Sequence, residues 1–276
     1  MELANLTQFN TKLILYDHKK SFERTEDYIL HCHSFYEVYY FISGDVSYLV
    51  EGRRYRLKPN SILLLPANVF HGFRVESERP YERYTLHFLD EIIPVENRFT
   101  LLAPFRFSGD RMDIYYPDTG EFRVGTYFEN LISCSCLPDD MKDMAACVFV
   151  QALLIQILYM SRTTKDIPSA GQSGQAAMDM IRYLNGHISE PITLEQLSAR
   201  FFISRHYINR VFRKATGTTV MQYVIHKRLA LAQQLMLQGR SSAQAAAESG
   251  FGDYSVFYRA YRKIFGRSPA EDKIKG

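Results

Sequence analysis

The sequence predicts an α+β protein of two domains: an N-terminal antiparallel β-barrel followed by helices, and a C-terminal all-helical region carrying two helix-turn-helix units. Three observations predict it. Short aromatic and β-branched runs recur at roughly ten-residue spacing between residues 29 and 89. A stretch rich in Ser, Gly, Thr and Pro (TTKDIPSAGQSGQ, 163–175) interrupts the apolar periodicity. Residues 193–214 and 241–263 then each read as a short helix, a tight turn and a second helix loaded with Arg, Lys and Tyr.

In the N-terminal part, strands are expected over 28–30, 35–42, 46–50, 61–65 and 84–88. They are punctuated by Ser43-Gly44-Asp45, Glu51-Gly52-Arg53, Lys58-Pro59-Asn60 and Arg79-Pro80. Beyond Leu101 only a loose, loop-rich region is legible up to Pro138. Residues 139–162 shift to helix, with Asp139, Asp140 and Asp143 in the first turns, where negative charge suits unpaired N–H groups. Apolar residues cover nearly the whole circumference of this helix. One face must pack on the barrel, which leaves Val148 and Ile155 for a second subunit and points to a homodimer through residues 141–160; burial within one subunit is the alternative. Gln151 and Gln156 interrupt the apolar run 144–160, so a buried helix explains it better than a membrane span. The expected boundaries are a domain at 1–162, a linker at 163–175 and a second domain at 176–276.

Charge is divided along the same line. Before Gly174 there are 18 basic and 23 acidic residues (−5); from Gly174 onward there are 15 and 7 (+8). Only the C-terminal third is built to meet phosphate. The start lacks a basic segment followed by a long apolar core, so a cytoplasmic protein is expected. Cys32, Cys134, Cys136 and Cys147 are too few and too scattered for a disulfide framework, and the Cys134/Cys136 pair lacks a second Cys/His pair for zinc. All four are expected to be reduced.

Thr193 with Gln196 forms the pattern of a capping box, 201–203 turns the chain, and Ser204 caps a helix from Arg205 to Ala215. Helical spacing directs Tyr207 or Ile208, Val211 and Phe212 to the core and leaves His206, Asn209, Arg210 and Arg213 outside. In the second unit Gly250-Phe251-Gly252 turns and Asp253 caps. Phe257, Tyr261 and Ile264 or Phe265 face inward, while Ser255, Val256, Arg259, Arg262 and Lys263 face outward. Between the units, 220–237 reads as a longer helix with Ala230, Leu231, Leu235 and Leu237 available for packing. Asn pairs with adenine at two points and Arg with guanine at two points, so these outer faces suit base edges. A solvated charged face is the commoner fate of such residues on a single helix; the doubling argues against it.

The segments SRHYINRVFRKATGT (204–218) and GFGDYSVFYRAYRKIFGRSP (250–269), with Arg228-Leu229, Ala232 and Leu235, resemble the two-unit DNA-binding domain of the AraC/XylS family of bacterial transcription regulators. The resemblance implies base contacts from His206, Asn209, Arg210, Ser255, Val256 and Arg259, and phosphate contacts from Ser204, Arg213, Lys214, Tyr254, Arg262 and Lys263. It also implies double-stranded DNA and a small-molecule effector as partners, and RNA polymerase if the protein activates, which is the family habit. One departure stands out. The short helix near 243–248 has Ala243, Ala246 and Ala247 where the family carries larger aliphatics, which predicts a less stable second unit.

In the first domain, His31-Cys-His33-Ser-Phe-Tyr-Glu37 followed by Pro66-Ala-Asn-Val-Phe-His71 resembles the paired motifs of the cupin, or jelly-roll-like, barrel. His31, His33 and Glu37 share the odd-numbered face of one apparent strand and with His71 make a three-His, one-carboxylate set. The second motif lacks its usual glycines, having Asn60 and Asn68, and regulators resembling this one keep similar residues without a metal. The expectation is therefore no metal and no cofactor, with a small-molecule pocket, for a sugar or related metabolite, contacted by His33, Glu37, Tyr39, Tyr48, His71 and His87.

A ligand-responsive, non-enzymatic DNA-binding regulator is the leading reading. The alternatives are a metal-dependent cupin enzyme with an appended DNA-binding domain and a DNA-binding protein whose barrel only dimerises. No Ser/His/Asp arrangement, phosphate loop or nucleotide fingerprint supports other chemistry.

Overall fold

A computed structural model describes residues 4–106, 113–117, 119–164 and 174–273. Its strands are β1 (Ala4–Asn10), β2 (Ile14–Ser21), β3 (Ile29–His31), β4 (Tyr36–Ser43), β5 (Val46–Val50), β6 (Arg53–Arg56), β7 (Ser61–Leu65), β8 (His71–Val75), β9 (Tyr81–Phe88) and β10 (Tyr115–Tyr116). They form two antiparallel sheets, β1-β2-β9-β4-β7-β10 and β3-β8-β5-β6, rather than one closed barrel. Aromatic and β-branched side chains fill the space between the sheets. The outer face of the larger sheet is covered by helices, and Tyr40 and Tyr84 stack on Phe128 with centroids 5.3 Å away. With both faces covered, β4 and β7 are buried almost throughout, which explains their continuous apolar reading.

Two short helices and a long one follow: α1 (Val95–Leu101), α2 (Val124–Ser133) and α3 (Asp139–Thr163). Helix α2 lies in the region read as loop. It has no side-chain N-cap, since Arg123 precedes it in the left-handed region (φ 47°), so the usual start signal is missing. In α3, Ala146, Val150, Leu153, Leu154, Ile157 and Met160 are buried against the sandwich. Gln151 and Gln156 anchor the helix by donating to the carbonyls of Ile92 (2.8 Å) and Phe122 (3.0 Å). By length and composition α3 is also apolar enough to cross a membrane. Its opposite side leaves Met144, Val148, Ile155 and Tyr159 exposed.

Most of the segment expected as a linker, 165–173, lies outside the described residues. After it come α4 (Gln175–Gly186), α5 (Leu194–Phe201), α6 (Arg205–Thr216), α7 (Val220–Leu237), α8 (Ser242–Glu248), α9 (Tyr254–Phe265) and α10 (Pro269–Lys273). The expected caps are present: Thr193 with Gln196 as a capping box, Ser204 accepting from Tyr207 N–H, and Asp253 accepting from the N–H groups of Ser255 and Val256. Thr219 with Gln222 and Ser241 with Gln244 add two more boxes.

Packing settles or corrects several assignments. Ile208 rather than Tyr207 enters the core of α6, because Tyr207 sits one residue off the Ile208–Phe212 stripe. Leu229, Ala230 and Ala232 are the buried residues of mid-α7, whereas Leu237 is exposed at the helix end. Ala243 and Ala247 face solvent, so their small size forfeits no burial; of the three alanines only Ala246 lies in the core. The case for a weakened second unit therefore narrows to one position.

Three apolar clusters result. One fills the sandwich and one the second helix-turn-helix unit. The third joins Met180 and Leu184 of α4, Ile208 and Phe212 of α6, and Tyr223 and Val224 of α7 to Cys32 and Phe70 of the sandwich, so the two domains share a core.

Candidate functional site

Strand register brings the His/Glu cluster together. His31 of β3 pairs with His71 of β8 in the smaller sheet, and Glu37 of β4 pairs with His87 of β9 in the larger. His33 stands in the connection between β3 and β4. The cluster therefore bridges the two sheets. The Glu37 carboxylate is buried, and its Oε2 lies 3.2 Å from His33 Nε2, 3.1 Å from His71 Nε2 and 3.3 Å from His87 Nε2. The ring of His31 is 4.3 Å from that of His71, centroid to centroid. Ligand atoms of His31, His33, Glu37 and His71 all fall within 4.8 Å of one another, a spacing that suits a metal ion. Burial pushes the His33 imidazole down to about 4 and His31 well below the usual imidazole range, so both rings are neutral near pH 7.

The aromatic candidates sit differently. Tyr39 and Tyr48 are fully buried with rings 4.8 Å apart, and the Tyr39 hydroxyl is hydrogen-bonded to that of Tyr81. Two clefts lie elsewhere. One of about 870 Å³ is lined by Tyr40, Asn60, Arg123 and Glu129, and one of about 580 Å³ lies between the β5–β6 hairpin and α6, lined by Arg54, Tyr207, Val211 and Lys214. Neither is lined by His33, Glu37, Tyr39, Tyr48, His71 or His87.

Sequence reasoning missed a second buried carboxylate. Glu51 occupies the first position of the two-residue β5–β6 turn with φ 46°, followed by Gly52 at 76°. Such turns favour Asn or Asp before Gly, and a left-handed Glu costs about 1 kcal/mol. Here the strain aims a carboxylate into the other domain. Glu51 Oε1 accepts from Phe70 N–H (2.8 Å) and Lys227 Nζ (2.9 Å); Oε2 accepts from Asn185 Nδ2 (3.2 Å) and the Tyr223 hydroxyl. Burial alone would raise the Glu51 pKa, but the Lys227 charge and these donors outweigh it and hold the group below the usual carboxylate value. Lys227 also donates to the Asn68 carbonyl, and Asn68 Nδ2 donates to Gln234 Oε1 at 2.6 Å. Phe70 packs on Tyr223 at 5.1 Å, and Leu30 lies so close to Gly217 that a Cβ there would come within 2.8 Å of Leu30 Cδ1. A Glu in a turn that wants Asn was the available signal.

In the helix-turn-helix domain, His206, Arg210, Arg213, Lys214 and Ser204 of the first unit are exposed, as are Tyr254, Ser255, Val256, Arg259, Arg262 and Lys263 of the second. Asn209 is half-buried, and its Oδ1 accepts from Val220 N–H at 3.4 Å, which ties it to the start of α7. The Tyr254 hydroxyl bonds Ser242 Oγ at 3.1 Å. Phe202, in the first turn, is left-handed (φ 57°) and 92% exposed.

A two-sheet sensing domain locked to a double helix-turn-helix domain defines a class of DNA-binding protein with a ligand-binding module. Residues 22–97 match the AraC-like ligand binding domain and 197–273 a helix-turn-helix domain, 76 and 77 of the 276 residues. The chain belongs to the AraC/XylS family of transcription regulators. It is 25% identical over 251 residues to the uncharacterized HTH-type transcriptional regulator YisR of Bacillus subtilis, covering 84% of this chain and 80% of that one. It is 34% identical over 88 residues to the probable transcriptional regulator LumQ of Photobacterium leiognathi, and 26% identical over 133 residues to the HTH-type transcriptional activator RhaS of Citrobacter koseri. Those matches cover 32% and 48% of this chain, and the chain spans only about a third of LumQ (36%) and half of RhaS (48%). Among solved structures, ToxT of Vibrio cholerae O395, bound to a naphthalenyl-butenoic acid, aligns over 95% of this chain and 99% of its own at 14% identity and a TM-score of 0.44. The DNA-binding domain of AdpA in complex with a target DNA aligns over 37% of this chain and 92% of its own at 27% identity and a TM-score of 0.35.

Proposed function

We propose that the protein is a sequence-specific, ligand-responsive transcription regulator. Residues 1–162 sense, 163–175 link and 176–276 bind DNA. The observation that carries this reading is the pair of capped helices α6 and α9, each presenting an exposed polar face outside a packed core. His206, Asn209, Arg210, Ser255, Val256 and Arg259 read bases; Ser204, Arg213, Lys214, Tyr254, Arg262 and Lys263 serve phosphates. The protein acts without catalysis, in the cytoplasm, as an activator that meets RNA polymerase, and it pairs with a second copy through the exposed Met144, Val148, Ile155 and Tyr159 flank of α3.

Adjacency along the chain supplies the coupling. His31, His33 and His71 turn toward the cluster, while their chain neighbours Cys32 and Phe70 enter the core shared with the DNA-binding domain. Ligand capture that shifts the odd-numbered side chains must strain or relieve the even-numbered ones. A ligand with different affinity for the docked and undocked arrangements then changes how α6 is presented.

The test is binding to promoter fragments and genome-wide occupancy in the native cell. Arg210→Ala should cost about 1–3 kcal/mol on the cognate site and relax specificity there, while Lys263→Ala should weaken all sequences alike and lower the salt slope by about one. Unchanged operator binding by Arg210→Ala would overturn the assignment of α6.

A further inference from the structure

We propose that His31, His33, Glu37 and His71 hold one divalent first-row transition-metal ion, bound in the interior of the sensing domain. The argument begins with the outer nitrogens of the rings. Nδ1 of His71 lies 2.8 Å from the Val69 carbonyl, Nδ1 of His33 3.1 Å from the Phe35 carbonyl, and Nδ1 of His31 3.4 Å from the Ile29 carbonyl. A carbonyl oxygen only accepts, so each ring donates its N–H outward, and a neutral ring then turns a bare Nε2 lone pair inward. Two of those nitrogens stand 3.2 and 3.1 Å from Glu37 Oε2, which as a carboxylate also only accepts. His71 Nε2 is buried and makes no hydrogen bond. Electron pairs thus converge on electron pairs at the centre of a folded domain, and a single proton on Glu37 would serve only one of the contacts. A cation serves all of them.

The geometry agrees. Ligands about 2.0–2.1 Å from a tetrahedral ion lie about 3.3 Å from each other, close to the separations between Glu37 and its histidines. An outward ring N–H given to a backbone carbonyl is what orients metal-bound imidazoles. Three imidazoles and one carboxylate suit zinc, iron, nickel or copper rather than magnesium or calcium, which prefer all-oxygen shells. His87, whose Nε2 lies 3.3 Å from the same Glu37 oxygen, borders the site and can complete a fifth position. An ion needs none of the open volume that an organic effector would require, and both clefts described above lie away from these residues. Taken with the regulator reading, on which this consequence rests, the ion is the sensed ligand, and Cys32 and Phe70 carry its arrival to the first helix-turn-helix unit.

The experiment is calorimetric titration of chelator-treated full-length protein with Zn²⁺ alone, with Co²⁺ absorption as a spectroscopic readout. One equivalent should bind, raise Tm and give the visible bands of nitrogen–oxygen coordination. His71→Ala should weaken binding by at least about tenfold, and so should His31→Ala, which alters a half-buried rim residue and spares the core. No saturable binding to the wild type, or undiminished binding in both variants, overturns the site. DNA binding by Arg210→Ala is a separate readout, so failure of the metal site and failure of the regulator reading are told apart.

Discussion

Among the described residues two carboxylates are buried, Glu37 and Glu51, and their surroundings are opposites. Glu51 is met only by donors: an ammonium, a hydroxyl, an amide N–H₂ and a backbone N–H, two on each oxygen. Glu37 is met by three imidazole nitrogens, and when neutral the rings of His33 and His71, whose Nδ1 atoms contact carbonyls outward, have nothing to donate to it. The first environment is chemically complete and holds two domains together. The second is complete only with a proton on a ring or a cation in the centre. Burial of charge is costly in both places, so the difference separates a structural pairing from a binding site more sharply than burial or proximity does.

Removing the cation from the finished site should have the largest effect. Lys227→Met leaves Glu51 buried without its counter-charge, and breaking such a pair costs about 3–5 kcal/mol. Guanidinium unfolding should show this loss, together with separate transitions for domains that no longer share a core. Replacing both partners, Glu51→Gln with Lys227→Met, should recover part of it. If Lys227→Met unfolds within about 0.5 kcal/mol of the wild type, the interdomain pairing contributes nothing and the contrast collapses.

Acid sharpens the same comparison. The Glu51 carboxyl titrates in the folded protein below its ordinary value of 4.5, facing Lys227, Tyr223, Asn185 and the Cys32 thiol, which burial pushes up to about 12. A depressed carboxylate contributes stability that is fully present above pH 4.5 and disappears as pH falls through the lower folded-state value. Domain docking, followed by the scattering radius, should therefore persist to pH 4.5 and be lost below it. Glu51→Gln should flatten that acid limb. An unchanged acid profile in Glu51→Gln would assign the limb to other groups.

How far each site was legible follows from the range of its causes. The helix-turn-helix units rest on local signals, such as the Thr193–Gln196 box and the Asp253 cap, and these survive into the structure unchanged. Period two puts His31, His33 and Glu37 on one face of one strand; the structure instead divides them among β3, the following connection and β4 of the other sheet, so they converge across the sandwich, and the register of β4 on β9 sets His87 opposite Glu37. Glu51 read as an ordinary turn residue because its partners Asn185, Tyr223 and Lys227 lie 134, 172 and 176 residues away. Ring orientation was equally out of reach, since it depends on which carbonyls of Ile29, Phe35 and Val69 point at Nδ1. On ligand types and motif alone the expectation is no metal, and hydrogen-bond polarity points the other way once the carbonyls are placed.

The smallest expected effect is the most discriminating. Glu37→Gln, in chelator-treated protein, exchanges an acceptor-only group for an amide whose N–H₂ can donate to the bare Nε2 of His33 or His71. A hydrogen bond of this kind contributes about 1 kcal/mol, so the metal-free variant should unfold at the same denaturant concentration as the wild type or slightly higher. Glu51→Gln under the same conditions should be less stable than the wild type, because there every partner is already a donor. The same chemical change thus carries opposite signs at two buried carboxylates. A loss above about 2 kcal/mol in Glu37→Gln would mean that the imidazoles already donate to the carboxylate, that the cluster is closed by protons, and that it has no need of a metal.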